Sequence, residues 1–460
     1  MLKFDVMIIG SGSGLNVASS IAQQGNKVAV MERGKMGGTC LNRGCIPSKL
    51  LLHSADIMEV IQGAHAFGIH AEKVSVDFKA LVQRVNSIID GESKSLIRKF
   101  KGRSNLKLFS DECTFVDMKT ISLKTIGEVL TAEKVLIASG SRPSIPDING
   151  LSTSGYITSD EALRLDVQPK TLTIIGGGYI CCEMAHFFGS LGTRINIIHN
   201  KNRLMPTEDI EISDKITEIF GKKYDVYLNC TTDSISKDSN NKFHVMVKNS
   251  NVKGMELVSD QLLVAVGRTP NSSSLSLEKT NVKTDDNGYI LTNEYLETNV
   301  PGIFALGDVI GRYQFKHSAN LEAQYAYHNI RNPDQMVAVD YSGMPHAIFS
   351  SPQVAAVGST EQELQSRQID YNKSIYRYKD TGMGKAIEDN DGFVKFLIDA
   401  KDKKILGCHI LGTDASILIH EVIPLMRNGA GNKNIDLVAR AIHIHPALSE
   451  VVANAAYKLV

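Results

Sequence analysis

The sequence predicts an α/β protein that contains two Rossmann-like dinucleotide-binding domains followed by an α+β domain. A glycine-rich turn between an apolar strand and a helix occurs twice, beginning at Gly10 and at Gly176. Each turn opens a strand–helix–strand unit of the kind that binds dinucleotides. From about Tyr341 the pattern changes to strands of alternating polarity, such as residues 392–399 and 404–411, and helices are expected after them at about 416–428 and 448–459. A chain of 460 residues is too long for one hydrophobic core, so several domains are expected.

The first unit has every part of a dinucleotide-binding motif except one glycine. Its parts are a strand at residues 4–10, a turn with Gly10, Gly12 and Gly14, a helix at residues 15–24 and a strand at residues 27–32. Glu32 lies about 20 residues beyond the first glycine, where an acid accepts hydrogen bonds from a ribose. The third glycine of the motif is replaced by Leu15, so the helix and the strand are expected to lie slightly further apart there.

The second unit ends without an acid. Its parts are the strand Thr171–Ile175, a turn with Gly176 and Gly178, a helix that extends to Leu191 and a strand at residues 194–199. His199 stands at the end of the last strand, where an acid would accept hydrogen bonds from the ribose of NAD. Lys201 and Arg203 follow it, and these cations would tolerate a 2′-phosphate. The pattern favours NADP(H) slightly, and the choice between NAD and NADP stays open.

Composition excludes several classes of partner. Fifty basic residues balance fifty acidic ones, so nothing indicates a nucleic acid or an anionic membrane surface. No apolar run approaches the length of a membrane span, and no signal peptide is recognised. Seven unevenly spaced cysteines are not a secreted disulfide framework. We therefore expect a cytoplasmic protein with one catalytic disulfide.

The most informative segment follows the first unit, and it places Cys40 and Cys45 five positions apart. In a regular helix such positions are roughly 8 Å apart, at ~1.5 Å rise per residue. A disulfide requires Cα atoms within about 7 Å of each other. The helix must therefore be distorted if the two sulfurs are to join, and Gly44 is the residue that can absorb the strain. Two buried free cysteines are the alternative interpretation.

Three segments, in this order, resemble the FAD-dependent pyridine-nucleotide disulfide oxidoreductases. They are residues 37–49 (GGTCLNRGCIPSK), residues 305–308 (ALGD) and residues 443–450 (HIHPALSE). The resemblance spans nearly the whole chain. It implies an FAD-binding domain at residues 1–149, an NAD(P)-binding domain at 150–270, a central segment completing the FAD site at 271–340 and a dimerisation domain at 341–460. It also implies a homodimer, because in this family a histidine reaches the disulfide of the other subunit.

The resemblance assigns residues to both cofactors. For FAD it implies Gly10, Gly12, Gly14, Glu32, Lys49, Thr114, Ser139, Gly140, Ser141, Asp308 and His317. For NAD(P) it implies Gly176, Gly178, Glu183, His199, Lys201, Arg203, Gly267 and Arg268. His317 is expected at the start of a helix under the flavin pyrimidine, although a solvent-facing histidine is nearly as good an interpretation.

The resemblance also implies the catalytic residues. Cys45 would be the thiolate that faces the flavin, and Cys40 the thiol that exchanges with substrate. Lys49 would pair with Glu183 beside the flavin, where a cation stabilises charge on the reduced ring. His445 would transfer the proton, with Glu450 fixing its tautomer. Without this context, a histidine and a glutamate so spaced would more often be a structural pair.

The sequence resembles two branches of the family that act on different substrates. The segment around Cys40 resembles the dihydrolipoamide dehydrogenase branch of the family, with Arg43 in place of a small apolar residue, whereas residues 316–323 and Ala447 resemble the mycothione reductase branch. We expect oxidation of dihydrolipoamide, with a possible lipoyl-carrying multienzyme complex as partner. The alternatives are an NADPH-dependent reductase of a small disulfide, for which Arg43 would bind an anionic substrate, and a structural flavin-binding partner of a lipoyl-carrying assembly. A purely structural subunit would need neither the Cys40/Cys45 pair nor the His445/Glu450 pair, and both are intact.

Overall fold

A computed structural model describes residues 1–249, 252–427 and 434–460 of the chain. The N-terminal part contains β1 (Leu2–Ile9), α1 (Gly14–Gln23), β2 (Val28–Met31), α2 (Gly38–Arg43), α3 (Cys45–Gly63), α4 (Phe78–Lys101), β3 (Leu106–Phe109), β4 (Cys113–Asp117), β5 (Thr120–Leu123), β6 (Val129–Ile137), β7 (Ser141–Pro143), α5 (Leu151–Ser154) and α6 (Ser159–Ala162). The next part contains β8 (Thr171–Ile175), α7 (Tyr179–Ser190), β9 (Arg194–Ile198), α8 (Ile210–Lys223), β10 (Asp225–Tyr227), β11 (Cys230–Lys237), β12 (Phe243–Asn249), β13 (Val252–Ser259), β14 (Gln261–Val264) and β15 (Arg268–Pro270).

The remaining part begins with β16 (Ile303–Ala305) and α9 (Lys316–Arg331). It continues with β17 (Pro345–Ile348), β18 (Gln353–Gly358), α10 (Glu361–Ser366), β19 (Tyr371–Arg377), α11 (Gly382–Ala386), β20 (Phe393–Asp399), β21 (Ile405–Gly412), α12 (Ala415–Leu418), α13 (Ile423–Arg427), α14 (Asp436–Ala439) and α15 (Glu450–Tyr457). Within the described residues, every helix is too short or too polar to cross a bilayer.

Two sheets carry the glycine-rich turns on parallel strands, and the first sheet also has an antiparallel edge formed by β5 and β4. The first has the strand order β3-β2-β1-β6-β5-β4, with β16 on β6, and β1 pairs in parallel with β2 and β6. The second has the order β10-β9-β8-β14, and its strands are all parallel. Their central strands are buried on both faces, as continuous apolar runs predict. The predicted fold class is confirmed.

The C-terminal part is built on an antiparallel sheet in the order β17-β18-β21-β20-β19. α15 packs on this sheet through Val451, Val452, Ala455 and Ala456, which are fully buried. A single helix was expected at residues 416–428, but the chain there forms α12, a short 3₁₀ turn and α13, and residue 428 lies outside the described residues. The predicted α+β character is nevertheless present.

The first helix lies closer to its sheet than the missing glycine suggested. A Cβ atom added at Gly14 would lie 2.8 Å from Cγ2 of Ile8 and 3.0 Å from Cβ of Ala138. The close approach is therefore made at Gly14, the first residue of α1, and the wider separation expected from Leu15 is wrong. Leu15 itself is buried and contributes to the core on that side of the sheet.

Candidate active site

One large cavity joins the first glycine turn, the cysteine segment and the start of α9. Its volume is about 1300 Å³. That exceeds the usual size of a small-molecule pocket, roughly 300–1,000 Å³, and gives room for a dinucleotide together with a substrate. The residues predicted for FAD that line it are Gly10, Gly12, Glu32, Lys49, Thr114, Ser139, Gly140, Asp308 and His317.

The residues at one end of the cavity fit the adenosine and phosphate groups of FAD. A Cβ added at Gly12 would meet no atom within 4 Å, so the backbone there is open to the cavity. Glu32 follows β2, and its Oε2 accepts hydrogen bonds from the Ser11 amide at 3.0 Å and the Ser11 hydroxyl at 2.7 Å. The Ser139 hydroxyl is buried without a hydrogen-bond partner among the described residues, which is what a missing polar ligand would leave.

Arg268 contacts the group of residues predicted for FAD. Its Nε donates to the Ser141 hydroxyl at 2.7 Å and lies 3.6 Å from Oδ2 of Asp308, and Ser141 donates to that Oδ2 at 2.5 Å. Sequence reasoning assigned Arg268 to NAD(P), together with Gly267, which has a φ of 133°. In the structure, Arg268 contacts Asp308 and Ser141, two of the residues predicted for FAD, and its assignment to NAD(P) stays a prediction.

Gly44 separates the two cysteines into different helices. α2 ends at Arg43, Gly44 has φ −147° and ψ −116°, and α3 begins at Cys45. The predicted distortion at Gly44 is therefore present. Both thiols are free, and they line the same cavity. The start of α2 is pressed against the glycine turn, since a Cβ at Gly38 would lie 2.7 Å from Cα of Gly12.

The two thiols differ in acidity. A hydrogen bond from Cys40 lowers the pKa of Cys45 to about 7, against the opposing effect of burial, and the charge of Lys49 acts in the same direction as the hydrogen bond. The hydrogen bond to Cys45, together with burial, raises the pKa of Cys40 above its ordinary value. The first proton lost by the pair therefore leaves its charge on Cys45.

Lys49 and Glu183 form the ion pair that the resemblance implied. The Lys49 ammonium donates to both carboxylate oxygens of Glu183, at 2.8 and 3.0 Å. Glu183 also accepts from the Phe349 amide at 3.0 Å, and the ammonium lies 4.5 Å from the centre of the Phe349 ring. The pair thus holds a cation at the wall of the cavity beside Cys45.

His445 and Glu450 lie on the C-terminal domain, away from the cavity of their own chain. Nδ1 of His445 is 2.9 Å from Oε1 of Glu450, and the Ala447 amide donates to Oε2 at 3.2 Å. The hydrogen bond with His445 lowers the pKa of Glu450. The His445 side chain is 78% exposed, and His445 is not among the residues that line the cavity. The His445 ring is therefore exposed at the surface of the chain, where another subunit could reach it.

The second glycine turn lies at the end of β8, with Gly178 capping α7. The His199 ring covers Gly177, where a Cβ would lie 2.4 Å from the ring, and its Nε2 is buried without a partner among the described residues. Burial, together with the charge of Lys201, lowers the pKa of His199. Lys201 is exposed, but Arg203 forms an ion pair with Asp214 at 2.9 Å. Within the described part of the chain, no ion pair is recorded for Lys201, whereas the charge of Arg203 is matched by Asp214.

One further residue of the cavity, Lys316, was missed from the sequence, and two that the sequence singled out, Arg43 and His317, have partners in the structure. Lys316, the first residue of α9, donates to the Ser13 hydroxyl at 2.8 Å and lines the cavity near both cysteines. Arg43, expected to bind an anionic substrate, lies 3.5 Å from Asp160. Burial raises the pKa of Asp160, and Arg43 opposes that effect. His317 stacks on Phe315 and its Nε2 contacts the Pro345 carbonyl at 2.7 Å.

Proteins of one known family have similar sequences and structures. Residues 4–323 match the family described as pyridine nucleotide-disulphide oxidoreductase, and residues 344–456 match the dimerisation domain of the same family. Mycothione reductase of Mycobacterium tuberculosis is 34% identical over 463 residues, which cover 99% of each chain. Dihydrolipoyl dehydrogenase of Chlamydia pneumoniae is 34% identical over 458 residues, which cover 99% of this chain and 96% of the relative.

A solved structure has the same architecture over the full length. The Cu(II) complex of the HOCl-induced flavoprotein disulfide reductase RclA from Escherichia coli superposes with a TM-score of 0.87, at 27% identity and with 100% of each chain covered. The fold and the site thus define a flavoprotein disulfide oxidoreductase. The chain belongs to the pyridine nucleotide-disulphide oxidoreductase family. Its cofactors are FAD and NAD(P)(H).

Proposed function

We propose that the protein transfers electrons between NAD(P)(H) and a thiol substrate through a disulfide between Cys40 and Cys45, with dihydrolipoamide as the leading substrate. The observation that carries the proposal is the pair of free thiols with separated acidities, in a cavity that also holds the Lys49–Glu183 pair. Two buried structural cysteines would need neither a hydrogen bond between them nor a cation beside them.

Bound FAD accepts a hydride from the reduced nicotinamide and supplies the electron pair that opens a disulfide. In the reducing direction, the Cys40 thiolate attacks one sulfur of the substrate disulfide, and the first product thiol takes a proton from His445. Cys45 then attacks the sulfur of Cys40, which releases the second product thiol and re-forms the disulfide. Oxidation of dihydrolipoamide uses the same steps in reverse, and His445 accepts the protons.

The chain's own residues have separate roles in this scheme. The Gly10–Gly14 turn and Glu32 would bind the phosphates and ribose of FAD, and Asp308, fixed by Ser141 and Arg268, would hold the flavin portion. Lys49, fixed by Glu183, would face the reduced ring. His445 would come from the second subunit of a homodimer, because it lies outside the cavity of its own chain. The match of residues 344–456 to the dimerisation domain supports this assignment.

The Arg43–Asp160 pair favours an uncharged substrate. Arg43 would attract an anionic disulfide only if its charge were free, and Asp160 lies 3.5 Å from it. Dihydrolipoamide has no charge near its sulfurs, so it needs no such cation. A lipoyl-carrying multienzyme complex is the corresponding proposed partner. The proposed location is the cytoplasm, because seven unevenly spaced cysteines are not a secreted disulfide framework.

The second candidate is an NADPH-dependent reductase of a small disulfide. The specific observation in its favour is His199 at the end of β9, with exposed Lys201 two residues on, where an NAD site would present an acid. Lys201→Ala should raise the Michaelis constant for NADPH more than that for NADH. Arg203→Ala is the control, because its charge is already paired with Asp214. Equal effects on both nucleotides would argue against a 2′-phosphate site.

Steady-state rates on purified, FAD-loaded protein test the proposal. Dihydrolipoamide is assayed with NAD⁺ and NADP⁺, and NADH and NADPH are assayed with a panel of low-molecular-weight disulfides. Fast oxidation of dihydrolipoamide supports the leading substrate, whereas slow lipoamide chemistry with brisk reduction of one small disulfide supports the second candidate. Cys40→Ser should abolish either activity. Turnover that survives this change would contradict the redox role of the pair and favour a structural subunit.

A further inference from the structure

A fully buried acid lies behind the turn that carries Asp308. Glu322 belongs to α9, has no exposed surface and is not among the residues that line the cavity. Its neighbours on the same face of the helix, Ala319 and Ala326, are small and apolar. Burial of a polar group is costly unless hydrogen bonds satisfy it, so the contacts of Glu322 must account for its presence there.

Glu322 receives a hydrogen bond at each carboxylate oxygen. Oε2 accepts from the Gly307 amide at 2.6 Å, and Oε1 accepts from the Tyr341 hydroxyl at 2.9 Å. The Arg312 guanidinium lies 4.6 Å from the centre of the Tyr341 ring and helps to hold that ring in place. Burial raises the pKa of Glu322 to about 7, although both hydrogen bonds oppose that effect. These contacts fix the carboxyl group between two loops.

Gly307 is the residue at which the chain leaves the first sheet. The Leu306 amide still donates to the Ile137 carbonyl of β6 at 3.1 Å. Gly307, by contrast, has a φ of 76° and begins a short 3₁₀ turn. The first amides of a helical turn find no acceptor within it. Glu322 provides the acceptor for the Gly307 amide, and it thereby fixes the direction in which the next residue, Asp308, leaves the strand.

Asp308 is also held through its side chain. Ser141 donates to its Oδ2 at 2.5 Å, and Asp308 lines the cavity. We propose that Glu322 is a positioning residue for FAD, which holds the Gly307 amide so that the backbone presents Asp308 to the cofactor. Ser141 then orients the carboxylate, and Glu322 orients the backbone that carries it. The inference rests on the proposed role of Asp308 in holding FAD, but on neither of the candidate substrates.

The affinity of the full-length protein for FAD tests the proposal without any substrate. The FAD-loaded protein is diluted over a series of concentrations, and ultrafiltration followed by flavin absorbance gives the fraction of FAD that stays bound. Glu322→Leu removes both acceptors at nearly constant volume, whereas Glu322→Gln keeps an acceptor oxygen for Gly307. Tyr341→Phe removes only the hydroxyl that orients the carboxylate. Glu92→Leu is the control, because it makes the same chemical change at an exposed site on α4.

We expect Glu322→Leu to raise the Kd for FAD by about 10–100-fold, the usual effect of losing a hydrogen bond to a charged acceptor. Glu322→Gln should stay within about threefold of the wild type, and Tyr341→Phe should raise the Kd by about 2–10-fold. Glu92→Leu should leave it unchanged, whereas Asp308→Asn should weaken binding. If Glu322 acts through Asp308, the double variant Asp308→Asn/Glu322→Leu should lose less affinity than the product of the two single losses.

An unchanged Kd in Glu322→Leu and Tyr341→Phe would overturn the proposal, and Tyr341→Phe alone decides the matter if Glu322→Leu does not fold. Losses that multiply in the double variant would contradict it too, since Glu322 would then stabilise the fold without directing Asp308. An unchanged Kd in Asp308→Asn would remove the placement of FAD on which the proposal rests. Failure of the proposed function gives a different result: the variants lose FAD as expected, but the wild type turns over no disulfide and no dithiol.

Discussion

At the scale of single residues, three cations that the sequence singled out are matched by acids, whereas Lys316 has no ion pair recorded among the described residues. Lys49 is matched by Glu183, Arg43 by Asp160 and Arg203 by Asp214. The acidic partner of each cation lies at least ten residues away in the sequence. A basic residue identified from the sequence is therefore not necessarily free to bind a ligand. No local pattern reveals these pairings.

His445 is the residue whose substitution separates the two halves of the reaction. His445→Gln keeps a hydrogen-bonding group beside Glu450 but removes proton transfer at physiological pH. We expect thiol–disulfide turnover to fall by about 10²–10⁴-fold, the usual contribution of a general acid–base. Reduction of the flavin by NAD(P)H, followed by stopped-flow absorbance, should be nearly unchanged. Equal loss of both half-reactions would show that His445 has another role.

At the scale of elements, α3 and α7 are joined by a row of polar contacts along their length. Lys49 meets Glu183 near the cavity, and His186 lies farther along, with Nε2 2.7 Å from Asp56 and Nδ1 3.0 Å from the Ser190 hydroxyl. His186 is fully buried. The row, here called the α3–α7 seam, holds the helix of Cys45 against the helix that follows the second glycine turn.

The histidine of this seam gives folding stability a pH dependence. Burial opposes protonation, but the hydrogen bonds to Asp56 and Glu59 raise the pKa of His186 above its ordinary value. Its contribution to the free energy of unfolding is therefore present in full below about pH 6.5, the unfolded value, and is lost as the pH rises through the folded pKa. Urea denaturation should show a fall in stability as the pH rises above about 6.5, and the fall should be smaller in His186→Gln.

The matched control for this series is His53→Gln. His53 is exposed on the same helix, and its loss should leave the pH dependence as in the wild type. At low pH, His186→Gln should also be less stable by roughly 1–3 kcal/mol, because the carboxylates of Asp56 and Glu59 lose a buried, charged hydrogen-bond partner. A variant that follows the wild-type curve at every pH would show that His186 is neutral in the folded protein.

At the scale of the whole molecule, a buried lysine joins the second dinucleotide-binding unit to the C-terminal sheet. Lys395 on β20 is fully buried and contacts Asp209 at 2.8 Å, Glu361 at 2.5 Å and Glu211. Asp209 caps α8, and Glu361 begins α10. Because the three acids come from two different parts of the chain, removal of the one cation leaves their charges uncompensated at the junction.

Lys395→Met should therefore destabilise the protein strongly. We expect a loss of roughly 3–5 kcal/mol in the free energy of unfolding, the cost of breaking one side of a buried ion pair. Lys404→Met is the control, because Lys404 pairs with Asp402 at the surface and should change stability by less than about 1 kcal/mol. Similar denaturation midpoints for the two variants would mean that the junction around Lys395 is open to water.

A mixed dimer tests whether an active site is completed by two chains. His445→Gln and Cys40→Ser subunits are each inactive if Cys40 and His445 of different chains work together. Co-expression should restore activity, because each heterodimer contains one site with both residues intact. With random pairing, about a quarter of wild-type activity is expected. Mixed preparations that stay inactive, although mass spectrometry shows heterodimers, would place both residues of a site on one chain.

Sequence reasoning predicted the sheets better than the helices that link them. The strands around Gly10 and Gly176 were found because a buried parallel strand is a continuous apolar run. The break of the helix expected at 416–428 was missed, because apolar periodicity does not reveal where a helix is interrupted by packing. The Lys49–Glu183 pair was found through a family resemblance, whereas Lys316 and Asp160 became informative only once the fold had placed them beside Ser13 and Arg43.

In the proposed mechanism, the interruption at Gly44 would also decide which way a disulfide between Cys40 and Cys45 breaks. Since α3 begins at Cys45, this sulfur lies at the N-terminal, electropositive end of a 19-residue helix, whereas Cys40 lies inside a short one. The sulfur with the more stable anion is the better leaving group, so an incoming thiolate is directed to the sulfur of Cys40 and expels Cys45. A single glycine thus makes an otherwise symmetrical S–S bond polar, with one end for the substrate and the other for the flavin.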